Sequence, residues 1–161
     1  MLKILSFISL FIWMHSPSAL TNLANDAVSQ TIDRFHLAAA NANYDEYFKL
    51  FAEDAVFLGT DGNERWTKEE FKAYVNPHFS KGKGWLYQST QRNISLVKGT
   101  DIAFFDELLF NNYYGECRGS GVLIKVDSQW KILQYNLSIP VPNDISANIV
   151  GLIQKTNKAP K

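Results

Sequence analysis

Cysteine is almost missing from this chain. Cys117 is the single thiol in 161 residues, so no intrachain disulfide can form. Histidine is scarce as well. His15, His36 and His78 are scattered, and with one thiol they offer no zinc-type ligand spacing, so no metal is expected. An excess of either charge is also lacking. Sixteen basic residues balance sixteen acidic ones, which argues against nucleic acid or an anionic membrane surface as a partner. No apolar run reaches the roughly 18–20 residues of a membrane span. The chain shows no internal repeat, low-complexity segment or second domain, and its length suits one domain with a substantial core.

Aromatic residues, by contrast, are plentiful at 14%, which favours a large apolar interior or a cavity. The N-terminus is also distinctive. Lys3 precedes the apolar run Ile4–Met14 and the small-residue patch Ser16–Ala19, the order of a secretory signal peptide. Residues 1–19 are therefore expected to be a signal peptide cleaved after Ser18 or Ala19, the alternative being an uncleaved anchor. The domain is expected over 24–155, with a mobile tail at 156–161. The mature protein is expected to be exported, periplasmic or secreted, and free of the membrane.

Apolar residues at helical spacing, Val28, Ile32, Phe35 and Ala39, predict a helix over 24–43 with Asp26 as N-cap and His36 beside the buried face. A second short helix is expected over 44–51, a strand over 55–59, and a third helix opened by a capping box, Thr67 to Glu70. Gly82-Lys83-Gly84 reads as a flexible link. Four strands then follow, over 85–98, 102–110, 114–126 and 129–141. A short helix over 146–155 closes the domain. Helices grouped ahead of a long meander give an α+β class. Three N-terminal helices are expected to pack on a strongly curved antiparallel sheet.

The last three strands carry polar residues in apolar surroundings: Asp106-Glu107, Glu116-Cys117-Arg118 and Gln134-Tyr135-Asn136. Buried polar groups need partners or a wet cavity. With tight turns at Gly99-Thr100, Asn111-Asn112 and Asp127-Ser128, Arg92 is expected opposite Glu107, Glu107 opposite Glu116, Phe105 opposite Arg118 and Ser120 opposite Tyr135. One face would then hold an ion-pair network of Arg92, Glu107, Glu116 and Arg118. The other would hold Asn93, Asp106, Cys117, Gly119, Gln134, Asn136 and Ser138, the lining expected of a small-ligand pocket. A carboxyl desolvated there gains proton affinity and becomes a proton shuttle. Cys117, without a base in reach, reads as a buried inert thiol.

Three segments carry a family resemblance: Phe104-Phe105-Asp106-Glu107, Gly115-Glu116-Cys117-Arg118-Gly119-Ser120-Gly121-Val122-Leu123, and Trp130-Lys131-Ile132-Leu133-Gln134-Tyr135-Asn136-Leu137-Ser138. With the order of elements from about Asp26 to Asp144, the chain resembles the nuclear transport factor 2-like superfamily and, within it, the SnoaL-like branch. The resemblance implies a cone-shaped barrel with a deep pocket between helices and concave sheet, often in a homodimer. Relatives include ketosteroid isomerases, polyketide cyclases, dehydratases and non-catalytic binding modules. The enzymes among them use a pocket Asp and usually no metal, a type that Asp106 fits.

The function expected is binding of a small, largely apolar organic molecule, with cofactor-free proton transfer by Asp106. Gln134, Tyr135, Asn136, Cys117, Arg118, Trp66, Trp85 and His36 are expected at the ligand. The competing reading is a non-catalytic binding or dimeric assembly module.

Overall fold

A computed structural model describes residues 17–158. Most of the expected signal segment, and the end of the expected tail, lie outside that range. The elements run α1 (Pro17–Ala40), α2 (Tyr44–Lys49), β1 (Phe51–Leu58), β2 (Arg65–Thr67), α3 (Lys68–Phe79), β3 (Gln88–Leu96), β4 (Ile102–Asn111), β5 (Gly115–Val126), β6 (Gln129–Ser138) and α4 (Ser146–Lys158). The class is α+β, with helices on one face of a curled sheet. No helix among the described residues is long and apolar enough to cross a membrane.

Local chemistry explains most boundaries. α1 buries Val28, Ile32, Phe35 and Ala39, the stripe its spacing predicts. It begins earlier than expected, so Asp26 lies inside it rather than at its cap. α2 is capped by the Asn43 side chain, which accepts from the Glu46 amide. It stops at Lys49, which leaves Phe51 to begin β1. Thr67 and Glu70 form the reciprocal capping box of α3. Gly84 is no slack link: a Cβ there would run into the Ala39 and Ala40 carbonyls. Its absence lets the chain cross the end of α1, where the Trp85 amide donates to Ala39 O at 3.2 Å. At the C-terminus, α4 continues through residues 156–158 of the expected tail.

The sheet order is β2-β1-β6-β5-β4-β3. All neighbours are antiparallel except β1 and β6, which pair in parallel, so the sheet is mixed and not wholly antiparallel. Arg92 lies opposite Glu107 as expected. The next register differs. Glu107 faces Gly119, and Phe105 faces Gly121. The cause is the turn: the Asn111 side chain accepts from the amides of Tyr113 and Tyr114. The loop is thereby lengthened to three residues, and Gly115 takes φ +74°, a left-handed conformation that suits glycine. The slip is an odd number of residues, so it exchanges the faces of β5. Cys117, Gly119 and Gly121 turn inward, whereas Glu116, Arg118 and Ser120 turn outward.

Between β5 and β6 the two-residue turn at Asp127-Ser128 forms as expected, with φ of +49° and +64°, the signature of a type I′ hairpin. A bulge then interrupts the ladder between Val122 and Leu123. Beyond it Gly121 faces Tyr135, and Ser120 faces Asn136. One extra residue on β6 shifts the expected Ser120–Tyr135 pairing by one.

The core forms where α1, α2 and α3 meet the inner face of the sheet, with Tyr47, Phe71, Ile32, Leu123, Ile132 and Tyr135 among its fully buried members. Gly121 sits at a close crossing. A Cβ there would run into the Gln134 carbonyl oxygen and come within 2.9 Å of the Phe105 ring. Gly121→Ala is expected to destabilise the protein by about 2 kcal/mol or more, because backbone cannot yield to an added methyl. Urea unfolding checks this. A loss below about 0.5 kcal/mol would show that the crossing relaxes freely.

Candidate functional site

Glu107 lies on the inner face of β4 with no exposed surface. Burying an isolated carboxylate costs several kcal/mol, and three neighbours offset that cost. His36 Nε2 lies 2.6 Å from Oε1. Arg92 Nε donates to Oε2 at 3.0 Å, with its Nη2 at 2.9 Å. The Tyr135 hydroxyl reaches Oε1 in a longer contact of 3.4 Å. Gly119, directly across the ladder, makes room: a Cβ would run into the Tyr135 hydroxyl and lie 2.9 Å from Oε1.

The cluster ties the sheet to α1. Arg92 Nη1 donates to Ser29 O and Oγ at 3.2 and 2.9 Å and to Asp33 Oδ1 at 2.7 Å. Ser29, Asp33 and His36 stand at positions i, i+4 and i+7 of the helix, one face. Burial alone pushes the Glu107 carboxyl up. The hydrogen bond and charge of His36, then the charge of Arg92, outweigh that and hold it below its ordinary value of 4.5. With an ionised acceptor opposite, His36 Nε2 carries the donated proton. The phenol of Tyr135 moves the other way: burial, then the Glu107 charge, push it well above its usual range.

Beside this cluster opens a cavity of about 230 Å³. Its walls come from far-apart parts of the chain: Phe57 of β1, Trp66 of β2, Phe71 and Tyr74 of α3, Trp85 and Tyr87 ahead of β3, Tyr114 of the β4–β5 loop and Leu137 of β6. Tyr74 and Tyr114, 45% and 43% exposed, stand at the mouth. Trp66 stacks on Tyr74 with centroids 4.7 Å apart, and Phe57 on Phe71 at 3.9 Å. Burial raises the phenol of Tyr87, and nearby Cys117 adds to it. Tyr74 is raised by burial and then by the charge of Glu64. Both phenols stay neutral at ordinary pH. Gly59, Thr60 and Glu64 complete the lining, and Glu64 is its one charged residue.

Two threads join cavity and cluster. Glu107, Gly119 and Leu137 form one cross-strand row, and Leu137 lines the cavity. Tyr135 reaches Glu107 with its hydroxyl while its ring stacks on Phe57 at 5.5 Å. Tyr135 therefore separates the ionic cluster from the aromatic wall.

The residues expected at the site divide sharply. Trp66 and Trp85 line the cavity. His36, Tyr135 and Cys117 are on the inner side, the first two in the Glu107 cluster. Cys117 is a buried free thiol that burial pushes up, as an inert cysteine would be. Asp106, Gln134, Asn136 and Arg118 are on the opposite, outer face. Asp106 is exposed and accepts from Asn93 Nδ2 at 3.0 Å. The position expected for a desolvated pocket acid is therefore corrected, because alternation along β4 turns Glu107, not Asp106, inward. Glu116 and Arg118 are likewise exposed, and the expected four-residue network contracts to Arg92 and Glu107, with His36 taking the place given to Arg118. Tyr74, Tyr87, Tyr114 and Glu64 were not anticipated at the cavity. Tyr87 alone had a signal, standing two residues from Trp85 in an alternating stretch. Among the described residues no group of His, Cys, Asp and Glu is arranged to hold a metal ion.

Residues 28–142 match the SnoaL-like domain family, a span that runs from within α1 to beyond the end of β6. The chain belongs to the SnoaL-like family. Solved structures, nuclear transport factor 2-like proteins among them, share its fold. A nuclear transport factor 2-like protein of unknown function from Pseudomonas putida KT2440 aligns with TM-score 0.64 at 14% identity, covering 76% of this chain and 91% of its own. A candidate scytalone dehydratase from Novosphingobium aromaticivorans DSM 12444 aligns with TM-score 0.65 at 16% identity, covering 77% and 89%. A candidate aromatic ring hydroxylase, also from Novosphingobium aromaticivorans, aligns with TM-score 0.63 at 16% identity, covering 75% and 92%. At such identities the likeness is one of fold.

The Glu107 cluster of this SnoaL-like protein makes a stability prediction. A group whose folded pKa is depressed stabilises the fold above its unfolded pKa, and that stability is lost as pH falls through the folded pKa. Stability is thus expected to decline as pH drops below 4.5. Removing one side of a buried ion pair costs about 3–5 kcal/mol, so Arg92→Met at neutral pH should be strongly destabilising. Arg118→Met, on the exposed outer face, should change stability by less than about 0.5 kcal/mol. Urea unfolding of both variants decides the matter. Equal losses would contradict the assignment of faces.

Proposed function

We propose that this protein binds a small, largely apolar organic molecule in the aromatic cavity. One observation carries the reading: tryptophan, tyrosine and phenylalanine rings from five separate segments converge on a space of about 230 Å³. Concavities of similar size elsewhere on the surface have mixed, largely non-aromatic linings, whereas this one matches ligand sites, which are concave, mostly apolar and supplied with few polar groups. The cavity lies below the roughly 300–1,000 Å³ of drug-sized sites, so the ligand is small.

Cofactor-free proton transfer is the second reading, favoured by the carboxylate of Glu64 on the cavity wall. In that reading Glu64 takes the acid–base part first given to Asp106, which stands on the other side of the sheet. Glu107 has no exposed surface, and its oxygens are already engaged, so its part is to position the wall through Tyr135. We also propose that residues 1–19 direct export and are removed, and that the protein pairs as a homodimer. A second copy would cover Phe104, Leu108 and Phe110, which are exposed along the outer face of β4.

Native mass spectrometry of the protein recovered from its own host addresses all three parts. The expected spectrum shows a chain shortened by about the first 19 residues, a dimer, and an added small-molecule mass. Trp66→Ala should remove the added mass, and Asp106→Asn should leave it in place. An adduct that survives Trp66→Ala but is lost with Asp106→Asn would place the ligand on the outer face and overturn the proposal.

A further inference from the structure

The cavity wall combines two kinds of surface that seldom serve a neutral ligand together. Trp66, Tyr74, Trp85, Tyr87 and Tyr114 present π systems. The one charge among them is negative, Glu64, and no lysine, arginine or histidine lines the space.

Glu64 is held by the β1–β2 turn. Its amide donates to Asp61 O at 2.9 Å, and its carbonyl accepts from the Gly59 amide at 2.8 Å. Its Oε2 accepts from the Asp61 amide at 3.1 Å. A Cβ at position 59 would run into the carboxylate, so the glycine leaves space for the side chain to fold back over the turn. Among the described residues, Oε1 takes no hydrogen bond, and Glu64 makes no salt bridge. Glu64 is half-buried, and its charge is felt by the Tyr74 phenol. This is an anion held in place at an aromatic wall with one of its two oxygens unengaged by the protein.

A neutral apolar ligand that filled the cavity would strip water from that oxygen and return nothing, which is costly for a carboxylate. A ligand bearing positive charge reverses the balance. Its charge meets Glu64, and its alkyl groups meet ring faces whose quadrupoles attract cations. A primary ammonium carries three donors that need partners, and the wall supplies few acceptors. A quaternary ammonium has none to satisfy.

We propose that the cavity is a site for a small organic cation of the quaternary ammonium class, held by the rings of Trp66, Tyr74, Trp85, Tyr87 and Tyr114 and paired with Glu64. This rests on the proposed ligand-binding role of the cavity and names the chemistry of the ligand.

The test titrates the full chain with choline and with its uncharged carbon isostere, in which tert-butyl replaces trimethylammonium. Tryptophan fluorescence and calorimetry follow binding. Choline is expected to bind about tenfold tighter than the isostere, as a desolvated cation–π contact supports. Glu64→Gln is expected to weaken choline about tenfold and leave the isostere unchanged. Unchanged binding of the isostere also shows that the variant is folded. Equal or tighter binding of the isostere to the wild type would overturn the cation assignment and leave the cavity as a site for neutral molecules. Absence of binding by either compound would overturn the cation site and the ligand-binding role together.

Discussion

A carboxylate with no exposed surface has to be answered by its surroundings, and much of this architecture is that answer. Glu107 sits in mid-sheet, where the alternatives are protonation or partners. The fold provides partners. Arg92 comes from the neighbouring strand, His36 from α1 and the Tyr135 hydroxyl from β6. Each partner imposes a constraint. Arg92 must be in register with Glu107, α1 must cross the sheet with its Ser29–Asp33–His36 face inward, and position 119 must lack a side chain. The polar cluster therefore specifies the orientation of α1 on the sheet, which apolar contact alone leaves poorly defined, since a stripe of Val28, Ile32 and Phe35 packs in several directions.

The cavity follows from that arrangement. Because α1 is pinned at one place, the chain crossing its C-terminal end at Gly84 carries Trp85 and Tyr87 to a set distance from β6. The β1–β2 hairpin and α3 then close the other side with Trp66, Phe71 and Tyr74. Tyr135 divides the two environments. Its hydroxyl faces the ionic cluster, and its ring backs the wall through Phe57. The charge of Glu107 is neutralised where it lies. The charge of Glu64, at the turn, is left available to a ligand.

Local features of this fold were readable in the sequence, and long-range ones were not. The apolar stripe of α1, the capping box at Thr67 and the register of β3 on β4 each depend on residues close in the chain. The faces of β5 and β6 depended on single-residue events. The Asn111 side chain lengthened one turn, and one extra residue in β6 made a bulge. Each slip is odd, so the first exchanges the faces of β5, and the second cancels it at β6, where Tyr135 keeps the expected side with Glu107, and Gln134 and Asn136 the side of Asp106. Cys117 shares its face with Glu107 and not, as expected, with Asp106, and Asp106 and Glu107 exchange roles. The parallel pairing of β1 with β6 had no local signal at all. The same holds for the cavity. Trp66 and Trp85 stood out as large aromatics, whereas Tyr74, Tyr114 and Glu64 meet them only through tertiary packing.

The order of the sheet and of α1 depends on Glu107 being an ionised group held in place by Arg92 and His36. A carbon-13 titration of the glutamate side-chain carboxyls, with Glu107→Gln to assign the resonance, measures this directly. The Glu107 resonance is expected to stay in its ionised position as pH falls through 4.5 and to shift only at lower pH or with unfolding. Titration at or above the ordinary glutamate value would contradict it. In that case burial would dominate, and a protonated Glu107 would be a hydrogen-bond donor within the core instead of the anion that orders it.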